Sequence, residues 1–217
     1  MLRSKLTLIA LAVASALTFC LPLAASMVNV DLSGAVTGTM ITAPGASFAQ
    51  TFAGQTVVGT GISGSPTNPL TLSPNGVLDV AFWDPGVSAA SNSILPEPGN
   101  QGPLSVLLDS NANSVTWTMG YADSNGPISV DFFDASGNLV SFVSEPLLTG
   151  YNVYSFSGVG VFRGFTIFDD NDPAGLRFQN FSYNTAGAVP EPGTLALLGT
   201  GLVALAGSLK RRRAHKI

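Results

Sequence analysis

An acidic run at residues 169–172 contains the residues best suited to chemistry in this sequence. Asp169, Asp170, Asn171 and Asp172 place three carboxylates and one amide within four consecutive positions. Calcium prefers oxygen ligands of this kind, although the spacing does not match the twelve-residue EF-hand loop. A solvated turn, in which Asx side chains bond to the nearby backbone, needs the same residues and is the simpler interpretation. A structural calcium ion is therefore a hypothesis here, and the polar turn is its alternative.

The composition excludes most kinds of enzyme site. His215 is the only histidine and lies in a basic tail, while Cys20 is the only cysteine and lies in an apolar N-terminal stretch. Nucleophilic triads and zinc sites built from His and Cys are therefore excluded from the region between them. Two carboxylates are enough for glycoside hydrolysis, and Glu97 and Glu145 are the only glutamates between residues 26 and 189. Both precede a proline in apparent loops, so we predict no catalysis and keep a carbohydrate-active enzyme as a third hypothesis.

Aromatic side chains offer a second kind of site, because they combine an apolar ring face with a polar group. Sugar rings can stack on such faces. Trp117 and Tyr121 share a predicted strand face with Val115, so we expect them in the core. Trp83 ends a predicted strand and opens a long loop, which makes it the candidate for ligand stacking.

The charge distribution excludes nucleic acid as a partner. The chain has 217 residues and a formal net charge of −4. Between residues 26 and 189 there are twelve acidic residues and only two basic ones, Arg163 and Arg177. Binding to a phosphate backbone requires Lys and Arg near the phosphates. Divalent cations suit this body better than polyanions do.

The elements that must position these residues are strands. Apolar and polar residues alternate with a period of two, and clusters of Asp, Asn, Ser, Gly and Pro separate the alternating segments. Strands are predicted at residues 47–52, 77–83, 104–108, 115–121, 128–133, 139–144, 151–157, 162–168 and 176–183. Turns are predicted at residues 109–113, 123–127, 134–138 and 169–173, with a long loop at 84–103. This pattern predicts an all-β fold, an antiparallel β-sandwich or jelly roll, over residues 27–185.

The N-terminal segment, residues 1–26, is typical of a secretory signal peptide. Two basic residues precede an apolar stretch from residue 6 to residue 21, and small residues follow. We expect cleavage after Ala25 or Ser26, with an uncleaved anchor as the alternative. Cleavage would remove Cys20, so the mature chain would contain no disulfide.

The C-terminal segment, residues 186–217, has three parts. The sequence Pro190-Glu191-Pro192 is followed by an uncharged apolar stretch at residues 194–209 and by a basic tail at 210–217. As a helix, sixteen residues would span about 24 Å, which is short for a hydrocarbon core of about 30 Å. Basic residues favour the cytoplasmic side of a membrane, so they would stop the segment there and leave the body exported. The basic cluster consists of Lys210, Arg211, Arg212 and Arg213.

These three parts, in this order, resemble the PEP-CTERM sorting signal of Gram-negative bacteria. The resemblance implies that Pro190, Glu191 and Pro192, within residues 189–193, are recognised by an exosortase, a membrane protease-transpeptidase. It also implies at least transient contact with the membrane, and sorting to the cell surface or extracellular matrix, commonly in bacteria that make exopolysaccharide. The alternative is an ordinary tail anchor. The body from residue 115 to residue 183 is similar to the jelly-roll domains of PEP-CTERM proteins, which supports the fold and implies no activity.

Together these features predict a non-catalytic exported protein of the cell surface or extracellular matrix that binds exopolysaccharide. The alternative is a protein–protein module, either adhesin-like or self-assembling, at the same surface. No cofactor is certain in either case, and the structural calcium ion stays a hypothesis.

Overall fold

The computed structural model describes residues 25–82, 92–96, 102–122, 126–169, 176–187 and 201, with the backbone alone at positions 82, 92, 93, 121 and 122. Within this set, Ala25–Ala186 forms one compact unit. The described residues contain no helix that is both long enough and apolar enough to cross a membrane. Several predicted features lie outside the described residues: the signal peptide up to residue 24, Trp83, the sorting motif Pro190-Glu191-Pro192 and the basic cluster.

Strands dominate the described part of the chain. In chain order they are β1 (Met27–Asn29), β2 (Ile41–Ala43), β3 (Ala46–Ala49), β4 (Thr51–Phe52), β5 (Thr56–Val58), β6 (Gly61–Ser63), β7 (Leu72–Ser73), β8 (Leu78–Phe82), β9 (Asn92–Pro96), β10 (Leu104–Ala122), β11 (Pro127–Phe133), β12 (Leu139–Pro146), β13 (Gly150–Asp169) and β14 (Arg177–Thr185).

Two long strands, β10 and β13, connect the two layers of the fold. The first part of β10 pairs with β3 and with the last part of β13, which also pairs with β11. From Ser114 onward β10 pairs instead with the first part of β13 and with β14. The first sheet is thus β2-β3-β10-β13-β11-β12, and the second sheet is β13-β10-β14-β9-β8, with β1 also beside β14. All the pairs are antiparallel, which confirms the predicted β-sandwich with a jelly-roll-like body.

The two sheets enclose one apolar core around Trp117. The indole ring is fully buried, and its centroid lies 4.9 Å from that of Phe156 and 5.3 Å from that of Phe165. Phe181 of β14 and Tyr154 of β13 stack at 6.3 and 6.4 Å. The alternation around residue 117 correctly placed this tryptophan inside, because every second residue of a strand points to the same face.

A smaller apolar cluster covers the outer side of the first sheet. Phe52 of β4 and Leu70 are buried against Phe133 of β11, and the rings of Phe52 and Phe133 lie 5.7 Å apart with nearly perpendicular planes. Leu72 of β7 and Leu107 of β10 pack around them. Among the described residues, the apolar clusters include no such cover on the outer side of the second sheet.

Three predictions about connections need correction. The predicted turn at residues 109–113 is wrong, because β10 continues through it with register shifts, and Asp109 N donates to Gly45 O at 3.1 Å. The predicted strands 151–157 and 162–168 form one strand, β13, with Gly158 and Gly160 at φ of 72° and 95° between them. The predicted long loop 84–103 contains β9, which pairs with β8 and β14.

The predicted turn at residues 134–138 is confirmed. The Asp134 carboxylate accepts hydrogen bonds from Ser136 N at 2.8 Å, from Asn138 N at 2.9 Å and from Asn138 Nδ2 at 2.9 Å. These bonds stabilise the ionised carboxyl, and the Asn138 side chain is the main reason that the pKa of Asp134 lies below its usual value.

The ends of the compact unit lie side by side. β1 pairs with β14, and Thr185 N donates to Ser26 O at 2.9 Å. Ser26 N in turn donates to Thr185 Oγ1 at 2.9 Å, across 159 residues of sequence. The first and last strands of the body are therefore direct neighbours.

Candidate functional site

The acidic run predicted as a calcium site is described only at Asp169. This residue ends β13, opposite Ile128 of β11, and is only 6% exposed, so it belongs to a strand and not to the predicted turn. Asp170, Asn171 and Asp172 lie outside the described residues. Across the described ranges, no group of three or more Asp, Glu, His or Cys side chains is placed to hold a metal ion. The calcium site therefore stays a prediction.

The other predicted site residues are only partly described. Glu145 lies exposed in β12, opposite Ile128 of β11, and not in a loop as the sequence indicated. The second glutamate, Glu97, and the stacking candidate, Trp83, lie outside the described residues. Stacking on Trp83 stays a prediction as well.

The outer face of the second sheet carries hydroxyl and amide side chains on three neighbouring strands. These side chains alternate with the core residues of β13, β10 and β14, so they point away from the core. Thr116 of β10 lies opposite Ser155 of β13 on one side and Ser182 of β14 on the other. We call this surface the polar face; its residues are Ser114, Thr116, Thr118, Ser155, Ser157, Asn180, Ser182 and Asn184. Thr118 is only 8% exposed, and Val153 of β13, opposite Thr118 on the same side of the sheet, is an apolar residue that is 68% exposed.

Hydrogen bonds between strands hold several side chains of the polar face in place. Thr116 Oγ1 and Ser155 Oγ are 2.9 Å apart, and Asn184 Nδ2 donates to Ser114 Oγ at 2.9 Å. A hydroxyl offers one donor and two acceptor sites, so each of these groups keeps hydrogen-bonding capacity toward solvent. The polar face thus presents oriented, uncharged donors and acceptors.

A bulge in β14 places Asn180 on this face. Asn180 and Phe181 together oppose Trp117, and Asn180 has a φ of 55°, in the left-handed region that asparagine tolerates better than most residues. Phe181 points into the core while Asn180 is exposed, and Asn180 Nδ2 lies 3.4 Å from Thr118 Oγ1. The bulge therefore turns an amide outward without removing an aromatic ring from the core.

One end of the polar face is aromatic. The Tyr151 ring occupies the space next to Gly120, where the β-carbon of any other residue would overlap it. Gly120 lies opposite Arg177 of β14, so the tyrosine and the arginine flank the same glycine. Tyr151 is 37% exposed. This end combines an accessible ring with a guanidinium group.

The other end of the polar face opens into a shallow depression of about 560 Å³. It forms where β10 and β13 pass between the sheets, and Ser114 and Ser157 belong to both the depression and the polar face. Tyr151 and Ser157 are six residues apart in β13, so the face extends for about 20 Å at about 3.3 Å per residue. The residues lining the depression are Asn113, Ser114, Ser157, Gly158, Gly160 and Val161.

The polar face differs from the rest of the body in its charge. Its eight residues include no carboxylate, although acidic residues outnumber basic ones twelve to two between residues 26 and 189. The half-buried carboxylate of Asp131 lies in β11 of the first sheet, and its burial raises its pKa. The surface is therefore suited to a ligand that offers many neutral hydrogen-bonding groups.

Sequence reasoning did not identify this face as a site. The alternation of Ser114, Thr116 and Thr118 with apolar residues predicted a strand, but polar residues are common on the solvent side of any half-buried strand. The face forms only because these residues of β10 lie beside polar residues of β13 and β14, which are distant in sequence.

Comparison with solved structures gives distant similarities to carbohydrate-related proteins. A single-residue variant of the family 29 carbohydrate-binding module CBM29-2 aligns at 12% identity and a TM-score of 0.36, covering 75% of this chain and 94% of the module. The module CBM29_1 from Piromyces equi aligns at 15% identity and a TM-score of 0.35, covering 75% and 92%. An arabinose-bound α-L-arabinofuranosidase, MgGH51, aligns at 14% identity and a TM-score of 0.37. This alignment covers 61% of this chain and 23% of the enzyme. Similarity at this level concerns the fold alone.

The C-terminal segment gives a specific match in sequence. No curated protein matches the chain. Residues 188–213, however, match the PEP-CTERM protein-sorting motif, in agreement with the predicted signal at residues 186–217. The chain therefore carries a PEP-CTERM sorting motif, which marks it as an exported protein that is processed by an exosortase.

Proposed function

We propose that this chain is a non-catalytic protein of the cell surface or extracellular matrix that binds exopolysaccharide through the polar face. The observation that carries the proposal is the set of hydroxyl and amide groups aligned across three strands, with Thr116 bonded to Ser155 and Asn184 bonded to Ser114. Export under a PEP-CTERM motif supports the location.

The chemistry of the face suits a sugar chain. A polysaccharide offers repeated hydroxyl groups, and a surface about 20 Å long, with a single guanidinium group at one end, can contact several sugar units at once. Each hydrogen bond contributes only about 0.5–1.5 kcal/mol net, so binding depends on several contacts made together. The exposed ring of Tyr151 adds an apolar surface against which a sugar ring can pack.

Two of the earlier hypotheses remain compatible with this function. A calcium ion bound by Asp169, Asp170, Asn171 and Asp172 would follow the end of β13 in the chain, and polysaccharide binding by the polar face does not depend on it. Trp83 would add a second stacking position. Both are proposals that a chelator titration and a Trp83→Ala variant would test.

The experiment that tests the function measures retention of the detergent-solubilised full chain on exopolysaccharide from its own bacterium. The double variant Thr116→Val/Ser155→Ala removes one hydroxyl pair from the polar face. The matched control, Thr56→Val/Ser63→Ala, removes the hydroxyl pair of the β5–β6 hairpin, whose oxygens lie 3.3 Å apart. We expect at least tenfold weaker retention for the first variant and none of this loss for the control. Equal retention of both variants would refute the polar face as the binding site.

A further inference from the structure

The second sheet carries very few charged residues. Its described segments are residues 27–29, 78–82, 92–96, 114–122, 150–157 and 177–185. Within them, Arg177 of β14 is the only basic residue and Asp79 of β8 is the only acidic one. Phe178 is buried in the core, so its neighbour Arg177 lies on the outer side of the sheet, as the polar face does. The polar face therefore has one guanidinium group at one end and neutral groups along the rest of its length.

An aromatic ring lies beside this arginine. The Tyr151 ring occupies the place that a side chain would take at Gly120, and Gly120 lies opposite Arg177 in the ladder between β10 and β14. Side chains directly opposite each other have β-carbons about 4.5–5.5 Å apart, so the ring and the arginine side chain are neighbours. Val153, two residues after Tyr151 on the same side of β13, is 68% exposed and extends the apolar surface. This end thus combines an apolar surface with a positive charge.

A sugar that carries a carboxylate matches both groups. The apolar face of its ring can pack on Tyr151, and because the carboxylate is attached to the same sugar, one unit can also contact Arg177. Arginine binds carboxylates through two parallel hydrogen bonds in a planar geometry. A guanidinium group has five N–H donors, so Arg177 can bind the ligand while its other donors bond within the protein.

We propose that the end of the polar face at Arg177 and Tyr151 binds an acidic sugar of the polysaccharide, while neutral sugars of the same chain lie along the hydroxyl and amide groups. The ligand is then a heteropolysaccharide in which carboxylate-bearing sugars are separated by neutral ones. This inference rests on the proposed function, because it names the class of polysaccharide that the polar face binds.

The charges elsewhere favour a polymer of low charge density. Acidic residues outnumber basic ones twelve to two between residues 26 and 189, so a chain with a carboxylate on every sugar is repelled by the body as a whole. Asp79 lies two strands away from Arg177, at a backbone distance of about 10 Å, and disfavours an anionic chain that crosses β9 toward β8. The opposite direction leads to the depression, whose lining residues include no carboxylate. We therefore expect the neutral sugars to extend that way.

The first test changes the ligand and leaves the protein as it is. Exopolysaccharide from the same bacterium is treated with carbodiimide and borohydride, which reduces carboxylates to neutral hydroxymethyl groups and leaves sulfate and phosphate esters in place. Retention of the detergent-solubilised full chain is compared on the reduced polymer and on a mock-treated sample. We expect at least tenfold weaker retention on the reduced polymer. Equal retention on the two samples would overturn the assignment of an acidic sugar.

Two charge-matched variants test whether Arg177 is the residue responsible. Arg177→Gln removes the guanidinium group of the site, and Arg163→Gln removes the only other basic residue between residues 26 and 189. Arg163 precedes Gly164, which pairs within the first sheet. On the mock-treated polymer we expect at least tenfold weaker retention for Arg177→Gln and wild-type retention for Arg163→Gln. Carboxyl reduction should then cause no further loss for Arg177→Gln. Equal losses for the two variants, or a further loss for Arg177→Gln on the reduced polymer, would also overturn the assignment.

The outcomes separate this assignment from the proposed function. If the wild-type chain binds both polymers equally and Thr116→Val/Ser155→Ala still loses retention, the polar face binds neutral sugars and only the role of Arg177 is refuted. If the wild-type chain is retained on neither polymer, the proposed function and the acidic-sugar site are both refuted.

Discussion

Replacing Gly120 with alanine should weaken polysaccharide binding by displacing Tyr151. The new β-carbon would overlap the ring at Cδ1 and Cε1 and would stand 2.9 Å from Cζ, so the tyrosine must leave its place. The backbone itself accepts alanine, since Gly120 is not among the glycines with positive φ. The variant therefore changes the position of the ring and leaves the strand intact.

The magnitude of this effect follows from two opposing contributions to stability and one to binding. Overpacking costs about 1–3 kcal/mol, less where a side chain can rotate away, and replacing glycine returns about 0.4–1 kcal/mol through the unfolded chain. The net change in the free energy of unfolding should therefore stay near 1 kcal/mol. Loss of an aromatic contact of about 0.5–1.5 kcal/mol should weaken binding about two- to tenfold.

A double-mutant cycle shows whether Tyr151 transmits the effect. Affinity for the polysaccharide is measured for Gly120→Ala, for Tyr151→Ala and for both together, with unfolding by urea measured in parallel. If Gly120→Ala acts by moving the ring, it has no further effect on affinity once Tyr151 is alanine. Additive losses, or full affinity in the Gly120→Ala protein, would refute this reasoning.

Three further predictions concern stability. Trp117→Ala should lower the free energy of unfolding by about 3–5 kcal/mol in urea titrations, because it leaves a cavity among buried aromatic rings. A loss below about 1.5 kcal/mol would contradict the central position of this residue in the core. Burial raises the pKa of Asp131, so the folded state holds the carboxyl proton more tightly and stability falls as the pH rises through the raised pKa. Asp131→Asn should remove this fall in stability and raise the Tm at neutral pH. The pKa of Asp134 is lowered, chiefly by the Asn138 side chain, so its contribution is lost as the pH falls through the lowered pKa. Asp134→Ala should abolish that acid-side loss and cost about 0.5 kcal/mol at neutral pH, as measured by the Tm between about pH 3 and pH 7.

The sequence predicts those parts of the fold that depend on a local pattern. Alternation around Trp117 identifies both the strand and its buried side, because the core imposes a period of two on any strand that it touches. Asp134 and Asn138 identify a turn because their side chains bond within the turn itself. Neither inference needs knowledge of a distant residue.

Other parts of the fold depend on distant partners and cannot be predicted in this way. Asp109 and Asn113 suggest a turn, yet they lie where β10 bends from one sheet to the other, and Asp109 is held there by Gly45. The polar face has the same origin, since Thr116 meets Ser155 across 39 residues and Ser114 meets Asn184 across 70. Strand register decides both features, and a single polar residue carries no signal of its register.

The pairing of β1 with β14 also determines when the body can fold. Loops that join distant residues are slow to close, and Ser26 meets Thr185 across 159 residues. β14 also pairs with β9 and β10. A chain that ends at residue 176 would therefore lack the strand with which β1, β9 and β10 all pair. We expect such a chain to stay open, because none of these three strands can complete its pairing. Folding of the body then has to wait until residues 177–185 are available.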